Sequence, residues 1–419
     1  MSILHDPSAT APAFGSLSAL PAGAPAAARV VFGLLQKLQH GTLDVQLPDG
    51  SLLRFGEPHP STRERHGALR LLDWSACGAA LKSGDIGFAE AYIDGRWTTP
   101  DLAALLKVFI ANRDAIESVV YGSWWGALLY RLKHLLNRNT KAGSEKNIHA
   151  HYDLGNGFYS LWLDETMSYS SALFEGDLDR PLAEAQRAKV RRALREVQAG
   201  PQRRVLEIGC GWGGLAEVAA TEFGATLHGV TISREQLAWG QARMQAAGLG
   251  ERARLRYQDY RDIDDGPYDA VVSIEMFEAV GREYWDSYFD TVQRQLKPGG
   301  RACIQTITIR DDLFDRYVKS TDFIQQYIFP GGLLPSISQF EAMAGKHGLQ
   351  VERRLAFGPD YAETLRRWRE AFLGQDGRVR RLGFDTRFMR IWEFYLAYCE
   401  AAFAMGNTDV VQFTLRKPS

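Results

Sequence analysis

Two rhythms of apolar residues divide the chain. Between residues 43 and 55 the pattern is short and alternating. Leu43-Asp44-Val45-Gln46-Leu47 and Leu52-Leu53-Arg54-Phe55 flank Pro48-Asp49-Gly50-Ser51, which predicts a β-hairpin. Val30 to Gln39 predicts a helix before it. Leu102, Leu105, Leu106 and Phe109 recur at helical spacing behind Asp101, and that stripe ends near Asn112. These elements imply a small α+β N-terminal domain over residues 29–125. From residue 187 helices alternate with β-branched strands, the pattern of a largely parallel sheet covered on both faces. Seven strands are expected, at 204–208, 225–232, 254–257, 269–274, 302–307, 351–356 and 410–415.

Residues 126–150 read as a basic linker and helix between the two patterns. Trp124, Trp125, Leu128 and Leu129 precede Arg131, Lys133, Arg138, Lys141 and Lys146, with only Glu145 opposing them. Such a stretch either docks on its own domain with its charges in water or lies on an anionic membrane, where each basic residue contributes about 1 kcal/mol. Residues 1–28 are expected to form a disordered tail. They are rich in Ala, Pro and Ser, no basic segment leads them, and Pro12, Pro21 and Pro25 interrupt the run, unlike a secretion signal.

Composition narrows the function. A chain of 419 residues with 45% hydrophobic and 24% charged residues can form two cores. A net charge of -1 supplies no overall field toward nucleic acid. No apolar run reaches the roughly 18 residues of a membrane span. Cys77, Cys210, Cys303 and Cys399 are far apart and make no metal-spaced cluster with the nine histidines, so no metal is expected and a reducing cytoplasm fits.

The chemistry lies where Val205-Leu206-Glu207-Ile208 runs into Gly209-Cys210-Gly211-Trp212-Gly213-Gly214 and then into a helix carrying Leu215, Val218 and Ala219. Strand, glycine loop and helix in that order make a nucleotide site, because glycines let backbone amides approach a ligand closely. A dehydrogenase would end its second strand on an acidic residue that holds a ribose; here Thr231-Ile232-Ser233 stands in that place. With Glu207, Gln258-Asp259-Tyr260 and Leu296-Lys297-Pro298-Gly299-Gly300, this favours an S-adenosylmethionine-dependent methyltransferase. The fold expected is α/β, a Rossmann-like class I methyltransferase domain with a mixed seven-stranded sheet over 151–419, preceded by the small α+β domain. Thr231, Ser233 and Gln236 suit the ribose or amino-acid part of the cofactor, and Asp259 and Tyr260 the adenine. Ser233 equally suits a helix N-cap.

At these residues the chain resembles the cyclopropane-fatty-acyl-phospholipid synthases and their relatives, the mycolic acid cyclopropane synthases and methyltransferases. The resemblance spans roughly residues 30 to 415. It rests on the glycine loop, His151-Tyr152-Asp153-Leu154-Gly155-Asn156, Gly229-Val230-Thr231-Ile232-Ser233, Gln258-Asp259-Tyr260-Arg261-Asp262, Met276-Phe277-Glu278 and Tyr327-Ile328-Phe329-Pro330-Gly331-Gly332. It implies S-adenosylmethionine held by Tyr169, Ser170, Glu207, Gly209, Gly211, Gly213, Thr231, Ile232, Ser233, Gln236, Asp259, Tyr260 and Ile274. It also implies methylation of a cis double bond in a phospholipid acyl chain, a dimer, and a cytoplasmic enzyme that visits the inner membrane face.

Such a reaction needs a dry pocket, for which Phe314, Tyr317, Phe323, Ile324, Tyr327, Ile328 and Phe329 are candidates; ordinary core packing is the alternative. Docking could use the N-terminal domain with Arg366, Arg367, Arg369, Arg378, Arg380 and Arg381, unless Glu363, Glu370 and Asp376 make these a solvated helix surface.

In the family a bicarbonate held by Cys, Glu, His, Tyr and a backbone amide removes the final proton. Glu278 and Tyr361 match that set and Ile307 offers its amide, but the cysteine is Ser171, the histidine is Gln305 and a further usual histidine is Ala279. Bicarbonate binding is therefore expected to weaken or vanish. Glu275 stands where the family usually has glycine, and a helical turn from it to Glu278 would bring two carboxylates together, one of them protonated or serving as base. A methyl-branched or methylene product then competes with the ring. Cys399 aligns with a cysteine once assigned as catalytic, yet falls among Trp392, Tyr395, Leu396 and Phe403 at helical spacing, which points to packing. Methylation of another hydrophobic molecule, such as a quinone or polyketide, and a lipid-binding protein without catalysis remain as other readings.

Overall fold

The computed structural model describes residues 13–57, 65–120 and 154–419. They form two compact units built from interleaved stretches: 1–133, 320–327 and 383–405 in one, 134–319, 328–382 and 406–419 in the other. The basic stretch 126–150 and His151-Tyr152-Asp153 lie outside the described residues.

The larger unit is a seven-stranded sheet. Its strands are β6 (Arg204–Ile208), β7 (Thr226–Thr231), β8 (Ala253–Tyr257), β9 (Tyr268–Ile274), β10 (Leu296–Ile309), β11 (Gln350–Ala356) and β12 (Thr408–Arg416), in the order β11-β12-β10-β9-β6-β7-β8. Six strands run in one direction, and β12 lies antiparallel to both its neighbours, β10 and β11, so the sheet is mixed. Each strand was expected, to within a few residues, except that β10 begins six residues early through Lys297-Pro298-Gly299-Gly300, with a register shift before Arg301.

The alternation of strand side chains makes two cores. Val205, Val272 and Cys303 face a cluster with Val190, Leu194 and Leu215. Leu206, Val271 and Ile304 face one with Phe277, Phe289, Phe340 and Phe413. Chain order reverses between β6 and β9, and the crevice at the carboxyl ends of strands at such a switch point is where α/β sheets bind ligands.

The smaller unit carries a five-stranded sheet, β1 (Ala13–Phe14), β2 (Thr42–Gln46), β3 (Leu52–Phe55), β4 (His66–Leu71) and β5 (Trp97–Thr98), in the order β1-β3-β2-β4-β5. The β2–β3 hairpin pairs Leu43 with Phe55, as its sequence predicts. The helix Leu102–Ala111 is capped by the Asp101 carboxylate, which accepts the Ala104 amide at 3.0 Å.

Two expectations are corrected here. The tail is ordered from Ala13: Ala13 pairs with Leu53, Leu20 and Ala24 are buried, and the helix runs Ala26–Leu35 instead of 30–39. An alanine run behind Pro25 has high helix propensity, so composition that suggested disorder makes a helix start. The second domain does not run unbroken from 151 to 419 either, because the helix Thr386–Ala404 packs on Leu102–Ala111 within this smaller unit. Lys107 donates to the buried Glu400 at 3.1 Å and Tyr92 to Glu393 at 2.7 Å, ties that a linear reading of the chain cannot reveal. Among the described residues no helix is long and apolar enough to cross a membrane.

Candidate active site

Backbone builds one end of the site. After β6 the chain turns through Gly209 and Gly211 at φ +85° and +49°. A Cβ on Gly209 would meet Met276 Cγ at 2.9 Å, whereas one on Gly211 would meet nothing within 4 Å, so the second glycine opens space above the loop. Gly213, also left-handed, caps the helix Gly214–Thr221. Asn156 Oδ1 accepts from the Trp212 indole at 2.7 Å and fastens the loop to the helix Asn156–Tyr159.

Ser233 Oγ accepts the Gln236 amide at 3.3 Å, so Ser233 is the N-cap of Arg234–Ala246, and Thr231 Oγ1 bonds Gln236 Oε1 at 3.3 Å. Ile232 and Ile274 are half-buried at the ends of β7 and β9. The Asp259 carboxylate accepts from Arg261 Nη2 at 2.6 Å and from the Arg261 amide at 2.9 Å, so it holds its own turn in addition to any adenine contact. Tyr260 packs edge-on against Tyr288, with ring centroids 5.7 Å apart. Tyr169 leans on Tyr159 and Trp368, each 5.4 Å away.

Behind these residues lies a group that sequence reasoning missed. Lys189 is fully buried and donates to Ser170 Oγ and Gln186 Oε1, both at 2.6 Å. Burial pushes its ammonium down to about 8 against the pull of Glu275, Asp164 and Glu207. Burial pushes Glu207 up to about 8, with Lys189 opposing, and Glu207 Oε2 is buried without a hydrogen-bond partner. The available signal was Gln186 and Lys189 at i, i+3 spacing on the same face as Ala185 and Ala193, polar residues where a helix needs apolar ones. An orphaned acceptor, an open glycine turn and a buried Thr231–Gln236 pair fit a nucleoside with a charged amino-acid tail, which is what S-adenosylmethionine is.

Side chains build the other end. Glu275 leaves β9 in the left-handed region at φ 48°, and Glu278 sits in the short turn Phe277–Ala279. The two are therefore not joined by the regular helical turn expected, although the turn does bring them into electrostatic contact. Glu275 Oε1 accepts from the Ser171 amide at 2.8 Å and from Gln305 Nε2 at 2.6 Å, and Oε2 accepts from the Tyr361 hydroxyl at 2.7 Å. Glu278 Oε1 accepts from the Ile307 amide. Its Oε2 is buried without a hydrogen-bond partner, since the neighbouring Thr306 hydroxyl donates to the Ile307 carbonyl at 3.2 Å. Burial, reinforced by the charge of Glu275, pushes Glu278 up to about 8. Burial also raises Glu275, with Lys189 and the donors at Ser171, Tyr361 and Gln305 opposing it. The Ser171 hydroxyl turns away to the Ala172 carbonyl at 2.9 Å. Ala279 is exposed.

The remaining candidates do not join this cluster. Cys399 belongs to the smaller unit, and burial pushes its thiol far up, so it is no thiolate. Phe314 is a core residue with Tyr317 packed beside it, while Phe323, Ile324 and Tyr327 belong to the smaller unit, where the Tyr327 hydroxyl donates to Glu90 at 2.6 Å. Ile328 is buried and Phe329 half-buried. Arg366 pairs with Glu363 and Glu370, Arg367 with Glu363, and Arg380 with Asp376, all at 2.9 Å or less, as in a solvated helix surface.

Comparison with known proteins agrees with this geometry. The family model described as mycolic acid cyclopropane synthetase matches residues 139–413. Tuberculostearic acid methyltransferase of Mycobacterium tuberculosis is 40% identical over 343 residues, covering 80% of this chain and 79% of that one. Cyclopropane-fatty-acyl-phospholipid synthase of Escherichia coli is 36% identical over 333 residues, covering 79% and 83%. A mycolic acid cyclopropane synthase crystallised with SAH and CTAB superposes with a TM-score of 0.61 at 34% identity, covering 65% of this chain and 98% of that one. With the sheet order, the glycine turn and the paired carboxylates, these matches show that the chain is an S-adenosylmethionine-dependent methyltransferase belonging to the mycolic acid cyclopropane synthetase family.

Proposed function

We propose that this enzyme methylates the cis double bond of an unsaturated phospholipid acyl chain, and that Glu275 completes the reaction as base where relatives are expected to use bicarbonate. The position of the Glu275 carboxylate carries the reading. Its three donors, at Ser171, Gln305 and Tyr361, are positions that the resemblance assigns to the bicarbonate site, and Glu278 takes the Ile307 amide that would complete it. A bicarbonate added here would find those donors already taken by the Glu275 carboxyl.

When bound, S-adenosylmethionine supplies an electrophilic methyl group, whose addition to an alkene leaves a cationic acyl carbon. Glu275 then takes a proton: a C–H bond breaks, its electron pair stays in the chain and quenches the cation, and the carboxylate becomes neutral. Glu278, protonated near pH 7, adds no second charge beside it. The product we assign is an open chain, methyl-branched or methylene-bearing, that keeps a double bond. The relative named for fatty-acid methylation rather than ring closure supports this choice. An acyl chain moving from bilayer to protein gains little hydrophobic free energy, so the enzyme works docked on the cytoplasmic membrane face.

The test is incubation with trideuteromethyl S-adenosylmethionine and vesicles of monounsaturated phospholipid, without bicarbonate, followed by lipid mass analysis and proton NMR. Label should enter the acyl chain without cyclopropane ring protons appearing. Ring protons would overturn the open-chain assignment, and label absent from every unsaturated phospholipid would overturn the substrate.

A further inference from the structure

The side-chain amide of Gln305 could present nitrogen or oxygen to Glu275, with opposite consequences. If nitrogen faces it, Glu275 Oε1 must be an unprotonated acceptor; if oxygen does, a hydrogen bond forms only when Oε1 carries a proton. Two residues further out fix the choice. Gln412 stands directly opposite Gln305 in the β10–β12 pairing, and both side chains are fully buried. Gln412 Nε2 donates to Gln305 Oε1 at 2.8 Å and to the Lys189 carbonyl at 3.3 Å, while Gln412 Oε1 accepts from Arg192 Nη1 at 2.5 Å. A guanidinium has no acceptor and does not lose its proton in proteins. Arg192 therefore obliges Gln412 to turn its oxygen outward and its nitrogen inward, and Gln412 imposes the same sense on Gln305. Reversing Gln412 would set its oxygen against two carbonyl oxygens and its N–H groups against a cation.

We infer that Arg192 and Gln412 are positioning residues for proton transfer: acting through Gln305, they keep Glu275 Oε1 an acceptor and make Oε2, beside the Tyr361 hydroxyl, the oxygen that receives the substrate proton. This rests on Glu275 being the base. In the transfer the C–H bond breaks, its electrons remain in the acyl chain and the proton forms a bond to Oε2. The Tyr361 hydroxyl, which donates to Oε2 at 2.7 Å, then becomes the acceptor.

The relay is anchored from outside. Arg192 Nη2 lies 3.6 Å from Glu196, whose carboxylate is also held by Thr414 at 2.7 Å and Arg353 at 3.3 Å. Cys303 Sγ flanks the relay 4.0 Å from Gln412 Oε1. The titratable groups facing Glu275 from neighbouring elements are Lys189 on Leu182–Glu196, which favours its anion, Tyr361 on Gly358–Gly374, and Glu278, which opposes a second charge.

The test is an infrared pH titration of cofactor-free protein carrying 13C-carboxyl glutamate, with the Glu275 band isolated by subtracting the E275Q spectrum. Q412L keeps the Arg192 charge but cuts the relay, and should raise the midpoint by about one pH unit, a tenfold change in proton affinity. The acid limb of turnover should move equally. R192K keeps a donor-only cation and should leave the midpoint in place, while R192M should raise it and serves if Q412L does not fold. A midpoint unmoved in Q412L, or moved as far in R192K as in R192M, would overturn the relay. Turnover surviving in E275Q would instead remove the base assignment, so the two failures are told apart.

Discussion

The cofactor end and the base end of the site are made of different materials. At the first, one contiguous stretch, residues 207–214, supplies a strand end, left-handed glycines and a helix start, a shape set by main chain. At the second, residues 171, 305 and 361 come from separate elements, and each contributes one hydrogen bond to the Glu275 carboxylate. Main-chain geometry tolerates side-chain replacement, whereas a side-chain site changes its chemistry when one residue changes. A glutamate at 275 in place of a glycine can therefore alter the proton-transfer step while fold and cofactor binding persist.

The largest separation of the two ends should come from E275Q. Turnover is expected to fall about 10³-fold, the usual share of a general base. Calorimetry should find S-adenosylmethionine affinity unchanged within about twofold, the resolution at which the ends count as independent. G209V is the converse. Its Cβ would strike Met276 in a backbone conformation that suits glycine, so cofactor affinity should drop roughly tenfold to a hundredfold by the same calorimetry. The Glu275 infrared band should hardly move. Y361F removes one hydrogen bond to the carboxylate and should lower kcat about tenfold with KM nearly constant.

The smallest effect concerns stability. Folding raises the Glu278 affinity for its proton, so the folded state gains most when that proton is bound. This contribution is complete below the unfolded value near 4.5 and is lost as pH rises through about 8. Thermal melts of the native protein should decline over that window, and E278Q should flatten the decline; an equal slope in both would count against a protonated Glu278.

The same contrast explains what the sequence made legible. The seven strands, the β2–β3 hairpin and the glycine turn were readable because each is local, set by alternation, by Asp49-Gly50 or by a glycine spacing. The pairing of Glu275 with Glu278 was foreseen, but not the left-handed backbone at Glu275 that aims its carboxylate at Ser171, Gln305 and Tyr361. Lys189, Gln412 and Arg192 escaped notice because a polar residue on a helix or strand reads as solvent-facing until the sheet packs over it. The helix Thr386–Ala404 was assigned to the wrong unit for a related reason: an apolar stripe shows that a helix is covered, not by what.

The central claim is that a carboxylate of the chain does the work of a bound bicarbonate. It is tested most directly by titrating bicarbonate into turnover assays of the native enzyme and of E275G. The native rate should be flat in bicarbonate, and an E275G enzyme should be nearly inactive without bicarbonate and recover as it is added, because the glycine leaves the donors of Ser171, Gln305 and Tyr361 free for an exogenous anion. A native rate that falls when bicarbonate is stripped, or an E275G enzyme as active as the native one without it, would show that Glu275 is not the base.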